Sequence, residues 1–208
     1  TALVFSTGNS NLISVSDLDL GAGELEVTLA VDNGVLTLAQ TTGLTFSTGD
    51  GTSDATMTFT GTAADINAAL DGLTFDPTGD YNGSATLTVT TDDQGNTGSG
   101  GNLTDTDTVA ITVSAVNDAP LNSVPGAQSV DEDTALVFST GNSNLISVSD
   151  LDLGAGELEV TLAVDNGVLT LAQTTGLTFS VGDGTSDATM TFTGTAADIN
   201  AAQIGRAH

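Results

Sequence analysis

Cysteine and tryptophan are absent from the 208 residues, and the chain has one tyrosine, three prolines, one histidine and a single cationic side chain, Arg206. Without cysteine there is no disulfide framework, no thiolate nucleophile and no thiolate metal site. The histidine, His208, and Arg206 both lie in the last three residues, so the body of the chain holds no Ser-His-Asp or Cys-His arrangement. Paired carboxylates alone can cleave glycosides, but a small repeated module with 4% aromatic residues offers little from which to build a sugar cleft. The expectation is therefore a protein that is not an enzyme. Against one basic residue stand 27 acidic ones, giving a net charge of -26 that repels nucleic acid and anionic lipid headgroups. No apolar run approaches the roughly 18 residues of a membrane span, so neither nucleic acid nor membrane insertion is expected. Cations, neutral surfaces and sugars remain as partners.

What the chain does contain is itself, twice. Thr1–Ala69 recurs as Thr134–Ala202 at an offset of 133 residues, with Thr48 against Val181 as the one mismatch. Such self-similarity marks a tandem array. The reading is a first repeat over residues 1–118 lacking its first strand, and a second over 119–202 that stops before the counterparts of Leu70–Asp118. Residues 203–208, Gln-Ile-Gly-Arg-Ala-His, break the repeat abruptly and read as a non-native tail, the translation of a sequencing adapter.

Within each repeat the apolar residues alternate. Leu25, Val27, Leu29 and Val31 are interleaved with Glu26, Thr28 and Ala30, the period-two pattern of a strand with one buried face. Asn33-Gly34 then reads as a hairpin turn into Val35–Leu38. A second hairpin joins Leu44–Ser47 to Ala55–Thr60 around Gly49-Asp50-Gly51, with Ala55, Met57 and Phe59 on one face. Thr62–Leu70 is the single helical stretch, with Thr62 as N-cap, Asp65 at the capping-box position and Gly72 as its stop. Later strands fall at Leu73–Phe75, Ala85–Thr91 and Thr108–Val116, and Tyr81 beside Asn82-Gly83 reads as a corner between sheets. Short strands punctuated by turn signals mean an antiparallel sandwich. The fold class is all-β: tandem Ig-like sandwiches, each with one short crossover helix. Val116–Val130, with Pro120 and Pro125, reads as a stiff extended linker.

The acidic residues are clustered. Between Ser114 and Leu153 stand Asn117, Asp118, Asp131, Glu132, Asp133, Asp150 and Asp152, with no cationic side chain among them. Unit negative charges about 4 Å apart repel by roughly 1 kcal/mol in water and about 4 kcal/mol at a protein surface. Asp17 and Asp19, and their copies Asp150 and Asp152, are spaced two apart on the same side of an extended segment, where they can share one hard cation. A solvated turn is the competing account of such a pair. Asp92-Asp93 sits at another strand end, and Asp131-Glu132-Asp133 is as readily a charged edge that resists aggregation as a ligand set. With only oxygen donors on offer, zinc and copper fit poorly and calcium fits well.

Val116-Asn117-Asp118-Ala119-Pro120, followed by Asp131-Glu132-Asp133 and Ser149-Asp150-Leu151-Asp152, resembles the cadherin-like repeats of very large bacterial surface proteins and RTX-type adhesins, and Thr90-Thr91-Asp92-Asp93-Gln94-Gly95 extends the likeness. The resemblance implies an extender module of an adhesin at the bacterial cell surface, stiffened by Ca2+ at each junction with the neighbouring repeat. It makes Asn117 and Asp118 linker ligands, Asp150 and Asp152 the following pair, and Asp17, Asp19 and Asp92 ligands of the junction before Thr1. The sequence departs from the family pattern at Ala115 and Ala119, which implies fewer ions per junction. Two other readings of the same residues are a carbohydrate- or protein-binding module of a secreted protein, and an acidic spacer adapted to salt without specific metal sites.

Overall fold

The alternation of Leu25, Val27 and Leu29 becomes strand β2, Leu25–Val31, in the computed structural model, which describes residues 2–95 and 100–202 and the backbone of Ile204–Ala207. The chain divides into two compact units, Thr1–Val116 and Asn117–His208.

In the first unit β2 is the centre of a five-stranded sheet. Its neighbours are β5 (Thr56–Gly61) and β7 (Gly83–Asp92), flanked in turn by β4 (Thr45–Thr48) and β8 (Thr104–Val113), giving the order β4-β5-β2-β7-β8. A second sheet, ordered β1-β6-β3, is built from β1 (Leu3–Phe5), β6 (Leu73–Pro77) and β3 (Gly34–Thr37). Every pairing is antiparallel. The inner faces of both sheets share one buried cluster, with Phe5, Leu36, Leu73 and Phe75 from the smaller meeting Val27, Leu29, Met57, Phe59, Leu87 and Ile111 from the larger. That is a β-sandwich, closed by helix α1 (Ala63–Leu70), which carries the chain from β5 in one sheet to β6 in the other and buries Ile66, Ala69 and Leu70.

The helix starts where the sequence places it. The Thr62 hydroxyl accepts the Asp65 N–H at 3.2 Å and donates to the Asp65 carboxylate at 2.6 Å, satisfying an amide that the first turn would otherwise leave open. Two expectations need correction. Asn33-Gly34 does not close a hairpin, because β2 and β3 belong to different sheets. A type I′ turn needs φ > 0 at both central residues; only Asn33 has it, at φ 55°. Gly34 is small for another reason, since a Cβ there would overlap the Phe75 ring and the Asp76 carbonyl. Tyr81 does stand at a corner between the sheets, since β6 belongs to the smaller and β7 to the larger, and its hydroxyl holds that connection by donating to the Ser84 carbonyl at 2.6 Å. Of the strand face read as Ala55, Met57 and Phe59, the last two are buried and Ala55 is exposed.

The second unit repeats part of this plan. β11 (Leu158–Ala163), β14 (Thr189–Gly194) and β13 (Thr178–Val181) form a sheet in the order β11-β14-β13, and β12 (Leu169–Leu171) pairs with the backbone of β15 (Ile204–Ala207). Helix α2 spans Ala196–Ala202. Inside the stretch read as an extended linker, Leu121–Ser123 forms β9 and pairs with β10, Ser147–Ser149. The corresponding residues of the first unit, Ser14–Ser16, form no strand. Gln203 and His208, part of the tail read as non-native, and Asn96–Ser99 of the Gly-rich loop lie outside the described residues.

Candidate functional site

At one end of the first sandwich the inner face changes character. Along β7 the residues that point inward are Ala85, Leu87 and Val89, all buried, and continuing the same alternation leads to Thr91 and Asp93. Along β8 the inward series Ile111 and Val109 leads to Asp107 and Asp105. Between these strand ends and the loop Ser14–Asp19 lies an open groove of about 430 Å³, lined by five carboxylates, Asp17, Asp19, Asp93, Asp105 and Asp107, over an apolar floor that includes Val15, Leu25 and Val89. No cationic side chain lines it.

Local hydrogen bonds set each of these groups. The Asp17 carboxylate accepts the Asp19 N–H at 2.9 Å, an Asx turn that fixes the Asp-Leu-Asp segment. Asp93 closes the base of the Gly-rich loop: one carboxylate oxygen accepts both the Gly95 N–H and the Leu103 N–H at 2.8 Å, and the Asp93 N–H donates to the Leu103 carbonyl at 3.0 Å. The amides of Leu103 and then Gly95 hold the Asp93 carboxyl below the usual carboxylate range, because they stabilise its charged form. The loop Ser14–Ser16 is itself anchored by helix α1. The Asn67 side-chain amide accepts the Val15 N–H at 2.8 Å and donates to the Val15 carbonyl at 2.9 Å, as a neighbouring strand would. Asn200 grips Val148 in the same way, at 2.9 and 2.8 Å.

Of the residues picked from the sequence, Asp17 and Asp19 lie in the groove. Asp92 does not line it. Its position on β7 is on the outer face, directly opposite Glu26 of β2, and its carboxylate accepts the Gln94 N–H at 2.6 Å and the Asn102 side-chain amide at 3.3 Å. Asp93, one residue on, takes the groove position instead, joined by Asp105 and Asp107, which sequence reading passed over. The strand period is the signal that finds them: they share the parity of Leu87, Val89 and Ile111. In the second unit the Asp118 N–H donates to the Asp152 carboxylate at 3.1 Å, the Asp150 carboxylate accepts the Asp152 N–H at 3.2 Å, and the Asn117 side-chain amide donates to the Asp118 carbonyl at 3.0 Å. Asn117, Asp118, Asp150 and Asp152 are thus brought close within that unit. Asp131, Glu132 and Asp133 form an exposed turn, with Asp133 left-handed at φ 63°.

The donor set has the chemistry of a hard-cation site, all oxygen and all acidic, but its geometry is open. Among the described residues, no three His, Cys, Asp or Glu side chains are disposed to hold a metal ion together. Among the same residues, no helix is long and apolar enough to cross a membrane.

No protein-family model and no curated protein matches the sequence. The chain is similar at 14% identity to a solved structure of the C-terminal domain of the Streptococcus agalactiae AgI/II polypeptide BspA, over 99% of this chain and 78% of that one. The TM-score is 0.23, a likeness on which no conclusion about this chain rests.

Proposed function

We propose that the chain is part of a spacer built from tandem sandwich repeats in an extracellular, cell-surface protein, and that calcium binds the acidic groove at the end of each complete repeat. The observation that carries the reading is the arrival of five carboxylates on one groove with no cationic side chain lining it. Calcium is the fitting ion because it takes six to eight oxygen ligands in flexible geometry. Since among the described residues no three acidic side chains are poised around one point, binding has to draw the loop at Asp17–Asp19 toward the ends of β7 and β8. That cost places the affinity with the weak extracellular sites, on the order of 0.1 to 1 mM. The same reading takes Asn117, Asp118, Asp150 and Asp152 as a second ligand set, supported by the Asp118–Asp152 contact, and makes calcium the agent that stiffens the chain at the linker. Its role is mechanical, in holding an adhesive part away from the cell, and not catalytic.

The openness of the groove favours one other reading, an acidic spacer whose charges are screened by salt in bulk. Isothermal titration calorimetry separates the two. A saturable calcium isotherm that is retained in 150 mM salt and weakened in Asp17→Asn and Asp107→Asn supports discrete sites. A heat that follows ionic strength for any salt, with no change in either variant, overturns calcium binding at the groove and leaves the spacer.

A further inference from the structure

One wall of the groove is a single segment, Ser14–Asp19. Its surroundings fix it at two points and leave it loose between them. Val15 and Leu20 are buried, whereas Leu18 between them is fully exposed. The Leu20 carbonyl accepts the Gly23 N–H at 2.9 Å, and at the other point the Asn67 amide takes both backbone groups of Val15. Asp17 stands two residues from Val15, and Asp19 one residue from Leu20. Asn67 in turn sits on a rigid post. Ile66, Ala69 and Leu70 seat α1 on the core, the Ala69 carbonyl accepts the Ala39 N–H at 3.0 Å, and Asp71, just past the helix, accepts the Thr7 N–H at 3.0 Å and its hydroxyl at 2.9 Å.

The second unit has the same device, with Asn200 holding Val148 two residues before Asp150. There Ser147–Ser149 also pairs with β9, so the amide grip and a strand pairing coexist and the grip serves a purpose of its own. We propose that Asn67 is a positioning residue for the cation groove. It does not line the groove; by pinning Val15 it supplies the fixed point about which Asp17 and Asp19 swing toward Asp93, Asp105 and Asp107. This role rests on the reading of the groove as a calcium site. With Val15 released, more backbone freedom is lost when the segment closes on an ion, and calcium binds less tightly. The coupling is reciprocal: calcium strengthens the hold of Asn67 on Val15 by the factor by which Asn67 strengthens calcium.

The test is a calcium chloride titration of the full chain followed by nuclear magnetic resonance. Single amides have to be resolved, because Ser14–Leu20 and Ser147–Leu153 are identical in sequence. In wild type the Asp17–Leu20 amides are expected to shift saturably, and the Val15 amide to exchange more slowly with calcium bound. Asn67→Ala is expected to raise the dissociation constant read at those amides roughly tenfold, the lower figure for a group standing behind a metal ligand. Leu36→Val, a core truncation in β3 away from the groove lining, is expected to leave that constant unchanged, which separates positioning from lost stability. In a chain already carrying Asp17→Asn and Asp19→Asn, Asn67→Ala is expected to add nothing, since the wall it positions no longer offers those carboxylates. Should Asn67→Ala not fold, Asn67→Gln carries the amide one methylene too far and is expected to weaken calcium in the same direction. Equal affinity in wild type and the folded Asn67 variant overturns the role, as does an equal loss in Leu36→Val or a full tenfold loss in the double-asparagine chain. Wild type without saturable shifts overturns the calcium reading of the groove and this role with it, whereas saturable wild-type binding with an insensitive Asn67 variant removes the role alone.

Discussion

Asn67 is the residue on which the groove's loop depends. Its side chain replaces a strand neighbour for Val15, supplying one donor and one acceptor to a buried backbone position. Alanine at 67 removes both partners at once, and an unsatisfied buried polar group costs about 1 to 3 kcal/mol. Urea denaturation of Asn67→Ala is expected to show a loss in that range and Asn67→Asp one at least as large, because aspartate keeps the acceptor but turns its second oxygen against the Val15 carbonyl, where Asn67 donates. Asp93 acts at the opposite wall of the groove. Its folded-state carboxyl is held below its ordinary value by two backbone amides, so its contribution is complete above the unfolded-state value near 3.9. It fades as pH falls through the lower folded-state value, where both states become protonated. Asp93→Asn is therefore expected to destabilise the first unit at neutral pH, with a gap from wild type that narrows below about pH 4. Denaturation curves taken from pH 6 to pH 2 check the sign.

At the scale of elements, strand existence was legible from alternation, and sheet membership was not. The run Leu25–Val31 reads as a half-buried strand because its period is two, and the Thr62 cap with Asp65 marks the helix start. Asn33-Gly34 has the composition of a hairpin, yet the chain passes between sheets there. The deciding contact is long-range, the Phe75 ring lying over Gly34, and no local signal encodes it. The groove was half legible for the same reason. Asp17 and Asp19 announce themselves by spacing, whereas Asp105 and Asp107 become groove residues only once β8 pairs with β7. The two units make the influence of context measurable. Val27 and Val160 sit in identical local sequence, one fully buried and one half-buried. Valine-to-alanine is expected to cost ~2 kcal/mol at Val27 and about half that at Val160, in proportion to the apolar area removed from water. Equal costs would show that β11 is as well covered as β2.

For the molecule as a whole, two cores imply two unfolding events. Among the described residues the first unit buries nineteen apolar side chains in one cluster and the second seven. Stability is a small difference between large terms, so the smaller of the two described cores falls closer to the threshold. A net charge of -26 adds self-repulsion to both units, and screening that repulsion helps each without making their cores equal. Calorimetry is therefore expected to resolve two transitions. The lower belongs to Asn117–His208 and the higher to Thr1–Val116, and both move upward as ionic strength rises from 10 to 150 mM, where the Debye length falls from about 30 to 8 Å. Val160→Ala should shift the lower transition alone and Val27→Ala the upper alone. A single transition shifted equally by both substitutions would mean that the repeats unfold as one body, and the account of two separate cores would fail.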